Sequence, residues 1–375
     1  MDKKIKKLAI LHPTFGYNGG AENVILSFSK YCHFIGIDIT IYTYKLRENI
    51  ESYIKQVKTD ITLNPFIFNK TAKMLANELK DYDAVLIHNF PATIFYGLAF
   101  KYAEKNNIKL PKSFWYCHEP SVRLYGYDDE SYKKLQKTLD IVARYTMHLD
   151  RFGVSKIDYI MSNSLRTSEG IKRVYNRESE TIYPCITNTK EIISPNTGKY
   201  FVYIGRIEKP KNIENAILAF KSLLEKIDDK DLKFIIAGKG RHEKYLKDLV
   251  QKINAENNII FKGFVSEEEK EELLNNSYAL VMPAVNEPFG LTVIEALYSS
   301  CISIISNKSG VYEAVKDCSV CCNMEITNEI TDAMLLVYKD INIKNKLLNA
   351  SKPILNNFTV SEYSKNVIKY IENHL

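Results

Sequence analysis

Two glutamates, Glu287 and Glu295, are separated by seven residues in a segment that could bind an anionic ligand rich in hydroxyl groups. Glu287 lies in a turn fixed by Pro288 and Gly290. Glu295 lies more than one helical turn after the start of the predicted helix, on an otherwise apolar stretch. An unpaired buried carboxylate is costly, so Glu295 needs a partner, and a ribose diol would supply one. The backbone N–H groups of residues 289–291, at the helix start, can bind phosphate or sugar oxygens.

Two cations stand upstream of this segment, at the end of another predicted strand. Gly205 ends that strand and Arg206 follows at once, while Lys211 and Asn212 precede the next predicted helix. Cations next to a helix start, at the carboxyl end of a strand, are suited to a pyrophosphate group. A basic surface loop without a ligand is the alternative.

The first predicted strand runs into a glycine-rich loop over residues 16–22, which contains Gly19 and Gly20. Adjacent glycines at a strand-to-helix junction let backbone N–H groups approach an anion, and the helix N-terminus favours negative charge. A diphosphate would fit such a loop, and a tight turn with no ligand is the alternative. The loop matches neither the spaced dinucleotide fingerprint nor a P-loop, because no Gly-Lys-Ser/Thr follows.

Short apolar runs alternate with amphipathic stretches along the chain, which predicts parallel sheets covered by helices on both faces. The predicted strands span residues 7–12, 37–44, 84–88, 113–117, 159–163, 200–204, 233–237, 258–261, 279–282 and 302–305. The predicted helices span residues 21–34, 91–104, 131–151, 213–226, 243–253, 266–275 and 291–300. Ser266 followed by Glu269 forms a capping box, which fixes one helix start.

A turn-rich interruption at residues 194–198 divides this pattern in two. The chain of 375 residues is long enough for two cores, and we predict one α/β domain over residues 1–190 and a second over residues 198–355. Ligands of such sheets lie beyond the carboxyl ends of the strands, so the natural site is the cleft between two facing domains.

Composition limits the setting of the protein. No run of about 18 apolar residues occurs, and the apolar stretch near the N-terminus is too short for a signal peptide. The seven scattered cysteines are an odd number, which favours reduced thiols and a cytosolic location. Cys318, Cys321 and Cys322 have half the spacing of a zinc site, and we interpret their segment as a small buried strand.

Charge is uneven along the chain. Residues 1–190 hold 28 Lys and Arg against 20 Asp and Glu, whereas the remainder holds 23 against 25. The basic first half suits an anionic membrane surface, and a solvated lysine-rich surface is the alternative. We expect no nucleic-acid partner, because the basic residues do not alternate with aromatic residues in a recognisable module.

An ordered set of motifs along the whole chain resembles family 4 of the retaining glycosyltransferases. The set comprises Gly19-Gly20-Ala21-Glu22, Cys117-His118-Glu119-Pro120, Ser162-Asn163-Ser164, Gly205-Arg206 with Lys211-Asn212, and the E-x7-E of Glu287 and Glu295. The resemblance implies the GT-B fold, an α/β architecture of two Rossmann-like domains that face each other across a cleft. It also implies that the final helix, within about residues 358–375, crosses back onto the first domain.

The resemblance assigns roles to individual residues. It implies that Arg206 and Lys211 bind the donor diphosphate, that Glu287 contacts sugar hydroxyls and that Glu295 contacts the ribose. The donor-binding set that it implies is Gly19, Gly20, Gly205, Arg206, Lys211, Gly238, Val265, Glu287, Phe289, Gly290, Leu291, Thr292 and Glu295. The catalytic set is His118, Glu287, Arg206 and Lys211. A structural histidine is the alternative for His118, and Lys239 with Arg241 departs from the family pattern, which leaves the base open.

The implied activity is transfer of a hexose from a UDP- or GDP-sugar to a hydroxyl acceptor, with retention. Double displacement would need a carboxylate nucleophile, and Glu287 is the obvious one, but its implied role is hydroxyl binding. We therefore predict substitution on one face of the sugar. The implied partners are the nucleotide sugar and a glycan or lipid-linked acceptor. From the cysteines and the basic first half we expect a cytoplasmic location, with peripheral contact at the inner face of a membrane. The cluster Phe114, Trp115 and Tyr116, with Tyr125 and Tyr127, could form an apolar acceptor platform, and residues of the core are the alternative. Within this set, residues 121–130 are predicted to form an exposed loop. The oligomeric state is left open.

We expect no cofactor and no metal. Asp81 and Asp83 could hold a divalent cation, but they precede a strand, which is the wrong end of a parallel sheet for a ligand site. We therefore interpret them as solvated turn residues. The alternatives for function are a nucleotide-sugar epimerase or a phosphorylase on the same fold, and a non-catalytic GT-B subunit.

Overall fold

A computed structural model describes residues 4–15, 19–48, 50–60, 67–126, 141–187 and 198–375. The chain divides into two compact units. The N-terminal unit runs to Thr187 and includes the last segment, Val360–Leu375, while the C-terminal unit is Asn188–Thr359.

The N-terminal unit is built on a parallel sheet of seven strands, in the order β3-β2-β1-β4-β5-β6-β7. The strands are β1 Lys7–Leu11, β2 Asp38–Thr43, β3 Lys55–Lys58, β4 Ala84–His88, β5 Lys112–Cys117, β6 Tyr159–Ser162 and β7 Glu180–Thr181. The described helices up to this point are α1 Gly20–Phe34, α2 Phe68–Leu79, α3 Ala92–Lys105, α4 Val122–Tyr125, α5 Ile141–Ser155 and α6 Leu165–Tyr175. β4 is buried along its whole length, as expected for a central parallel strand with both faces covered.

The C-terminal unit repeats the plan with six parallel strands, in the order β10-β9-β8-β11-β12-β13. The strands are β8 Tyr200–Ile204, β9 Lys233–Ala237, β10 Ile259–Gly263, β11 Ser277–Met282, β12 Ser303–Ser306 and β13 Val320–Cys322. The helices are α7 Ile213–Lys226, α8 Glu243–Lys252, α9 Glu267–Asn275, α10 Leu291–Tyr298, α11 Tyr312–Val315, α12 Thr327–Lys339 and α13 Ile341–Leu355. Phe201, Phe220 and Phe234 pack together, fully buried, in the core of this unit.

The last helix, α14 (Val360–Glu372), packs within the N-terminal unit. Tyr363 is 1% exposed and contacts the rings of Phe28 in α1 and Tyr116 in β5. The carboxylate of Glu372 accepts a hydrogen bond from the backbone N–H of Ile5 at 3.2 Å. The chain therefore ends against the same sheet with which it begins.

The predicted α/β class with parallel sheets is confirmed. The capping box also forms, with Ser266 and Glu269 bonded to each other's backbone N–H groups at 3.2 and 2.8 Å. β13 confirms the small strand expected around Cys321 and Cys322. The predictions omitted β3 and β7, which are short outer strands of mostly polar residues and carry no apolar run.

Some predicted features lie outside the described residues. They are Gly16, Tyr17 and Asn18 of the glycine-rich loop, Tyr127 with residues 127–130 of the predicted acceptor loop, residues 131–140 of a predicted helix, and residues 194–197 of the interruption. None of the described helices is long and apolar enough to cross a membrane.

A buried lysine in α13 makes the stability of the C-terminal unit depend on pH. Lys344 is 3% exposed and its Nζ donates to the backbone oxygen of Ser277 at 3.3 Å. Burial lowers the pKa of Lys344 to about 8, while nearby Cys301 acts weakly in the opposite direction. A lowered lysine pKa means that the unfolded chain binds more protons, so the free energy of unfolding rises with pH until both states have lost the proton.

We expect the free energy of unfolding to rise by about 2 kcal/mol between about pH 7 and pH 9.5 through this lysine alone. Lys344→Met should remove that increment. Urea unfolding of both proteins at each pH gives the difference directly. Parallel pH dependences for the two proteins would contradict the assignment.

Candidate functional site

Both sheets have a point where the chain order reverses, and several of the predicted site residues follow the strands that flank it. In the C-terminal sheet the reversal lies between β8 and β11, and in the N-terminal sheet it lies between β1 and β4. Open parallel sheets bind ligands beyond the carboxyl ends of the strands at such switch points. Each unit therefore has its own candidate ligand-binding edge, at the carboxyl ends of the strands that flank its switch point.

At the C-terminal switch point, one of the predicted cations forms an ion pair with one of the predicted carboxylates. Lys211 follows β8 and Glu287 follows β11, and Lys211 Nζ lies 2.6 Å from Glu287 Oε2. Their side chains are 20% and 17% exposed, so the pair is shielded but open to a ligand. A charge-assisted hydrogen bond of this length fixes both side chains.

Asn212 holds the loops that carry this pair. Its backbone is left-handed, with φ of 54°, and its Nδ2 donates to the backbone oxygens of Pro283 at 3.0 Å and Met324 at 2.7 Å. The loop after β8 is thereby tied to the loop after β11. On the other side, the backbone N–H of Gly310 donates to the backbone oxygen of Glu287 at 2.8 Å. Asn212 is therefore a positioning residue for Lys211 and Glu287.

Arg206 and Gly205 lie at the same edge. Arg206 is exposed, and its backbone oxygen accepts a hydrogen bond from the Tyr203 hydroxyl at 2.8 Å. Within the described parts of the chain, its guanidinium has no hydrogen bond or ion pair. An exposed cation near the Lys211–Glu287 pair is thus free to meet an anion.

The loops after β8, β9 and β10 lie in backbone contact, and glycine makes this possible. The backbone N–H of Gly205 donates to Ala237 at 3.0 Å, and that of Gly238 donates to Gly263 at 2.7 Å. A Cβ atom on Gly238 would stand 1.8 Å from the backbone oxygen of Gly205, and its φ is 137°. Val265, half-buried, lies in the last of these loops.

The start of α10 carries the other predicted donor contacts. Gly290 is its N-cap, with φ of 101°, and Leu291 and Thr292 form its first turn, both partly buried. The first N–H groups of a helix have no partner within the helix and attract anions. Phe289 differs from its neighbours, because its ring is buried and packs on Phe358 with centroids 6.1 Å apart. Its side chain belongs to the core.

Glu295 already has a partner in the protein. Lys270 Nζ lies 3.0 Å from Glu295 Oε1 and 2.6 Å from Glu267 Oε2. Burial opposes the charge of Lys270, but Glu295 and Glu267 outweigh it and raise the lysine pKa. Lys270 thus supplies the partner that Glu295 was expected to need, and the contact of Glu295 with a ribose stays a prediction. Sequence reasoning missed Lys270, although the spacing of Glu267 and Lys270 on one helix face was a signal.

In the N-terminal unit, Gly19 is the N-cap of α1 and Gly20 its first residue. A Cβ atom on Gly19 would stand 2.4 Å from Glu22 Oε2, so the carboxylate of Glu22 folds back over the helix start. Glu22 Oε1 lies 3.5 Å from Nε2 of His12. The pKa of Glu22 is lowered despite its burial, because of its contact with His12.

Three histidines end adjacent strands at this switch point, and only His118 was predicted. His12 follows β1, His88 ends β4 and His118 follows β5. His88 Nδ1 lies 3.1 Å from His118 Nε2, and the backbone oxygen of His118 accepts from Asn163 Nδ2 at 2.9 Å. Burial lowers the pKa of His118 to about 3, with His12 adding to the effect and Glu22 opposing it. Burial also holds the pKa of His88 well below its ordinary value, so both rings are neutral near pH 7.

Asp83 lies at the opposite end of the sheet and has a structural partner. Its Oδ2 accepts hydrogen bonds from the backbone N–H groups of Lys6 and Lys7, both at 2.8 Å. Across the described residues, no group of three or more His, Cys, Asp and Glu side chains is arranged to hold a metal ion.

Known proteins resemble this chain in sequence and in fold. Residues 186–352 match the family model of the glycosyl transferases group 1. The chain is 24% identical to ALG2, an alpha-1,3/1,6-mannosyltransferase of Dictyostelium discoideum, with 98% of each chain covered. It is 31% identical to an uncharacterized glycosyltransferase of Methanocaldococcus jannaschii, but over 32% of this chain and 30% of that one. The crystal structure of Anabaena HepE in complex with UDP and glucose matches with a TM-score of 0.76 and 14% identity, covering 98% of this chain and 100% of HepE.

These similarities bear on the predictions in two ways. At 14% identity the likeness to HepE shows the fold, and the predicted GT-B fold class is confirmed. The family model and the relatives support the prediction of a glycosyltransferase. The family number, the role of the E-x7-E motif and the retaining course stay predictions.

Proposed function

We propose that this chain is a retaining glycosyltransferase that moves a hexose from a UDP- or GDP-sugar to a hydroxyl group of a growing glycan. The observation that carries the proposal is the Lys211–Glu287 pair, 2.6 Å apart at the switch point of the C-terminal sheet. A cation for the diphosphate and a carboxylate for sugar hydroxyls thus lie side by side where such sheets bind ligands. The ALG2 relative is named a mannosyltransferase and HepE was crystallised with UDP and glucose, so mannose and glucose are the first sugars to test.

The reaction that fits these residues is substitution on a single face of the sugar. The acceptor oxygen bonds to the anomeric carbon as the bond from that carbon to the diphosphate oxygen breaks, and both events take place on one face. The proton of the acceptor hydroxyl passes to the departing diphosphate oxygen. Arg206 and Lys211 stabilise the negative charge that grows on this group, together with the first N–H groups of α10.

The remaining residues bind and orient. Glu287 accepts hydrogen bonds from sugar hydroxyls, and Glu295, held by Lys270 through Oε1, offers Oε2 to the ribose diol. We assign Gly19 and Gly20 to the diphosphate through the start of α1 and His118 to the reacting sugar. The acceptor stays a prediction from the resemblance, and a peripheral contact with an anionic membrane stays a prediction from the basic residues 1–190.

The test measures release of the nucleoside diphosphate by the purified full chain. UDP-glucose, UDP-galactose, GDP-mannose and GDP-glucose are each incubated with and without mannosides, glucosides and lipid-linked glycans, in excess chelator. We expect release from one donor to rise with one acceptor class, and NMR of the product to show the anomeric configuration of the donor. Arg206→Ala should lose this release, because its guanidinium stabilises the leaving group.

Other results would favour the alternatives. Isomerised donor without any acceptor indicates an epimerase, and sugar phosphate formed with inorganic phosphate indicates a phosphorylase. Binding of a nucleotide without turnover, detected as a rise in Tm, indicates a non-catalytic subunit. If neither turnover nor a Tm shift occurs with any donor, the proposed function is wrong.

A further inference from the structure

Three histidines stand in a row along the carboxyl edge of the N-terminal sheet. Leu11 pairs with Ile87 in parallel register, so the next residues, His12 and His88, follow in step on adjacent strands. His88 pairs with Tyr116, and His118 lies two residues further along the same strand direction. His118 directly follows the end of β5, and the hydrogen bond between its ring and that of His88 shows that the two side chains lie on the same side of the sheet.

Two of the three rings are buried and short of hydrogen bonds, whereas His118 is partly exposed. His12 and His88 are each 1% exposed. Among the described residues, neither ring nitrogen of His12 and not Nε2 of His88 has a hydrogen-bond partner. The hydrogen bond between two of the rings joins His88 Nδ1 to His118 Nε2 at 3.1 Å. This bond therefore links the proton positions of the two rings.

Two proton arrangements satisfy that bond. Either His88 donates from Nδ1 and keeps a bare lone pair on its buried Nε2, or His118 donates from Nε2 and His88 buries an N–H group at Nε2. Among backbone groups, buried N–H groups without an acceptor are rarer than under-satisfied acceptors, and we apply the same preference to the two rings. The first arrangement is thus favoured, and it places the proton of His118 on Nδ1.

We propose that His88 is a positioning residue, which donates from Nδ1 to His118 Nε2 and so keeps His118 as the tautomer protonated on Nδ1. In that form His118 offers the reacting sugar a hydrogen-bond donor and no basic nitrogen. The inference rests on the proposed function for its consequence, because a donor suits a sugar oxygen while the departing diphosphate takes the acceptor's proton. The lowered pKa values of both rings agree with a neutral pair.

Nearby charges do not reverse this arrangement. Glu22 favours a charged His118, but burial and the His12 ring act more strongly in the opposite direction. Glu22 itself is turned toward His12, at 3.5 Å, and covers the start of α1. Asn163 and Thr167 bind the backbone oxygen of His118 and leave its ring nitrogens untouched.

The first test observes the tautomer and needs no substrate. Long-range proton–nitrogen correlation spectra of the full chain, labelled with ¹⁵N-histidine, report which ring nitrogen of each histidine carries the proton. The His118 signal is assigned by its loss in His118→Asn. We expect protonation at Nδ1 in the wild type, the same in His88→Asn, whose amide can donate from the position of Nδ1, and a mixture of tautomers in His88→Leu.

The second test measures kinetics on the same proteins. His88→Leu should lower kcat by about 10- to 100-fold with little change in KM for the donor, the loss typical of a residue that orients another side chain. His88→Asn should recover most of that loss, which a merely structural role would not predict. His33→Asn, which removes a ring stacked on Tyr53 at the far end of α1, is the matched control and should leave kcat unchanged.

The outcomes separate this inference from the proposed function. A wild-type His118 protonated at Nε2, or a His88→Leu protein with unaltered tautomer and kcat, overturns the role of His88. If His88→Leu fails to fold, the wild-type and His88→Asn spectra still decide. If the wild type transfers no sugar yet shows the expected tautomer, the proposed function fails while the proton arrangement stands.

Discussion

Lys211→Ala is expected to lower kcat/KM for sugar transfer by about 100- to 1,000-fold, the usual loss when one group that stabilises a developing oxyanion is removed. Lys211 is partly buried and held by Glu287, so its ammonium group has a fixed position and works where water screens it poorly. Initial rates at saturating and limiting donor separate the loss in kcat from the change in KM.

Lys209→Ala is the matched control, because Lys209 belongs to the same single turn, Lys209–Lys211, but is exposed. It should keep the wild-type rate within about threefold, as expected for a solvated charge. Glu287→Gln, alone and combined with Lys211→Ala, completes a double-mutant cycle, and we expect strong non-additivity because the two side chains act together. Equal losses of kcat/KM for Lys209→Ala and Lys211→Ala would mean that the overall positive charge of this turn matters and that the Lys211–Glu287 pair does not.

Gly238→Ala is expected to lower the free energy of unfolding by about 3 kcal/mol or more, which is at the high end for a single substitution. Its Cβ atom would meet the backbone oxygen of Gly205 at 1.8 Å, and neither backbone can move without breaking the hydrogen bonds between the loops after β8, β9 and β10. The φ of 137° at Gly238 adds strain for any residue with a side chain.

Gly263→Ala supplies the comparison, since Gly263 also has a positive φ, of 77°, but its Cβ atom would meet nothing closer than Lys239 Cε at 3.9 Å. It should cost about 1 kcal/mol, the cost of the left-handed backbone alone. Urea denaturation measures the free energy of unfolding of both variants and of the wild type. Similar losses for the two variants would show that backbone conformation dominates and that the close approach to Gly205 does not.

Local patterns in the sequence were enough to predict the central elements of both sheets. Apolar runs and helix periodicity located the strands that form the middle of each sheet, and the capping box located the start of α9. Lys211 and Glu287 were singled out from their positions after strands, although they are 76 residues apart in the chain. Their contact depends on β8 and β11 being neighbours, which only the order of the strands decides.

The side chains that sequence reasoning missed are those whose partners come from another element. Lys270 reaches Glu295 from a different helix, and His88 reaches His118 from a different strand. The spacing of Glu267 and Lys270 marks Lys270 as a paired residue, but no linear spacing shows its contact with Glu295 or that of His88 with His118. His88 ends a fully buried apolar run, so its residue type was the only available signal, and a buried histidine is more often structural.

On the proposed function, the Lys211–Glu287 pair also bears on how the spent leaving group departs. The Lys211 ammonium has three N–H groups, so it can serve Glu287 and a phosphate oxygen together. An intact donor also brings hydroxyl groups to Glu287, whereas a bare nucleoside diphosphate leaves this carboxylate to compete for the charge of Lys211. We therefore expect the nucleotide product to inhibit the enzyme only weakly.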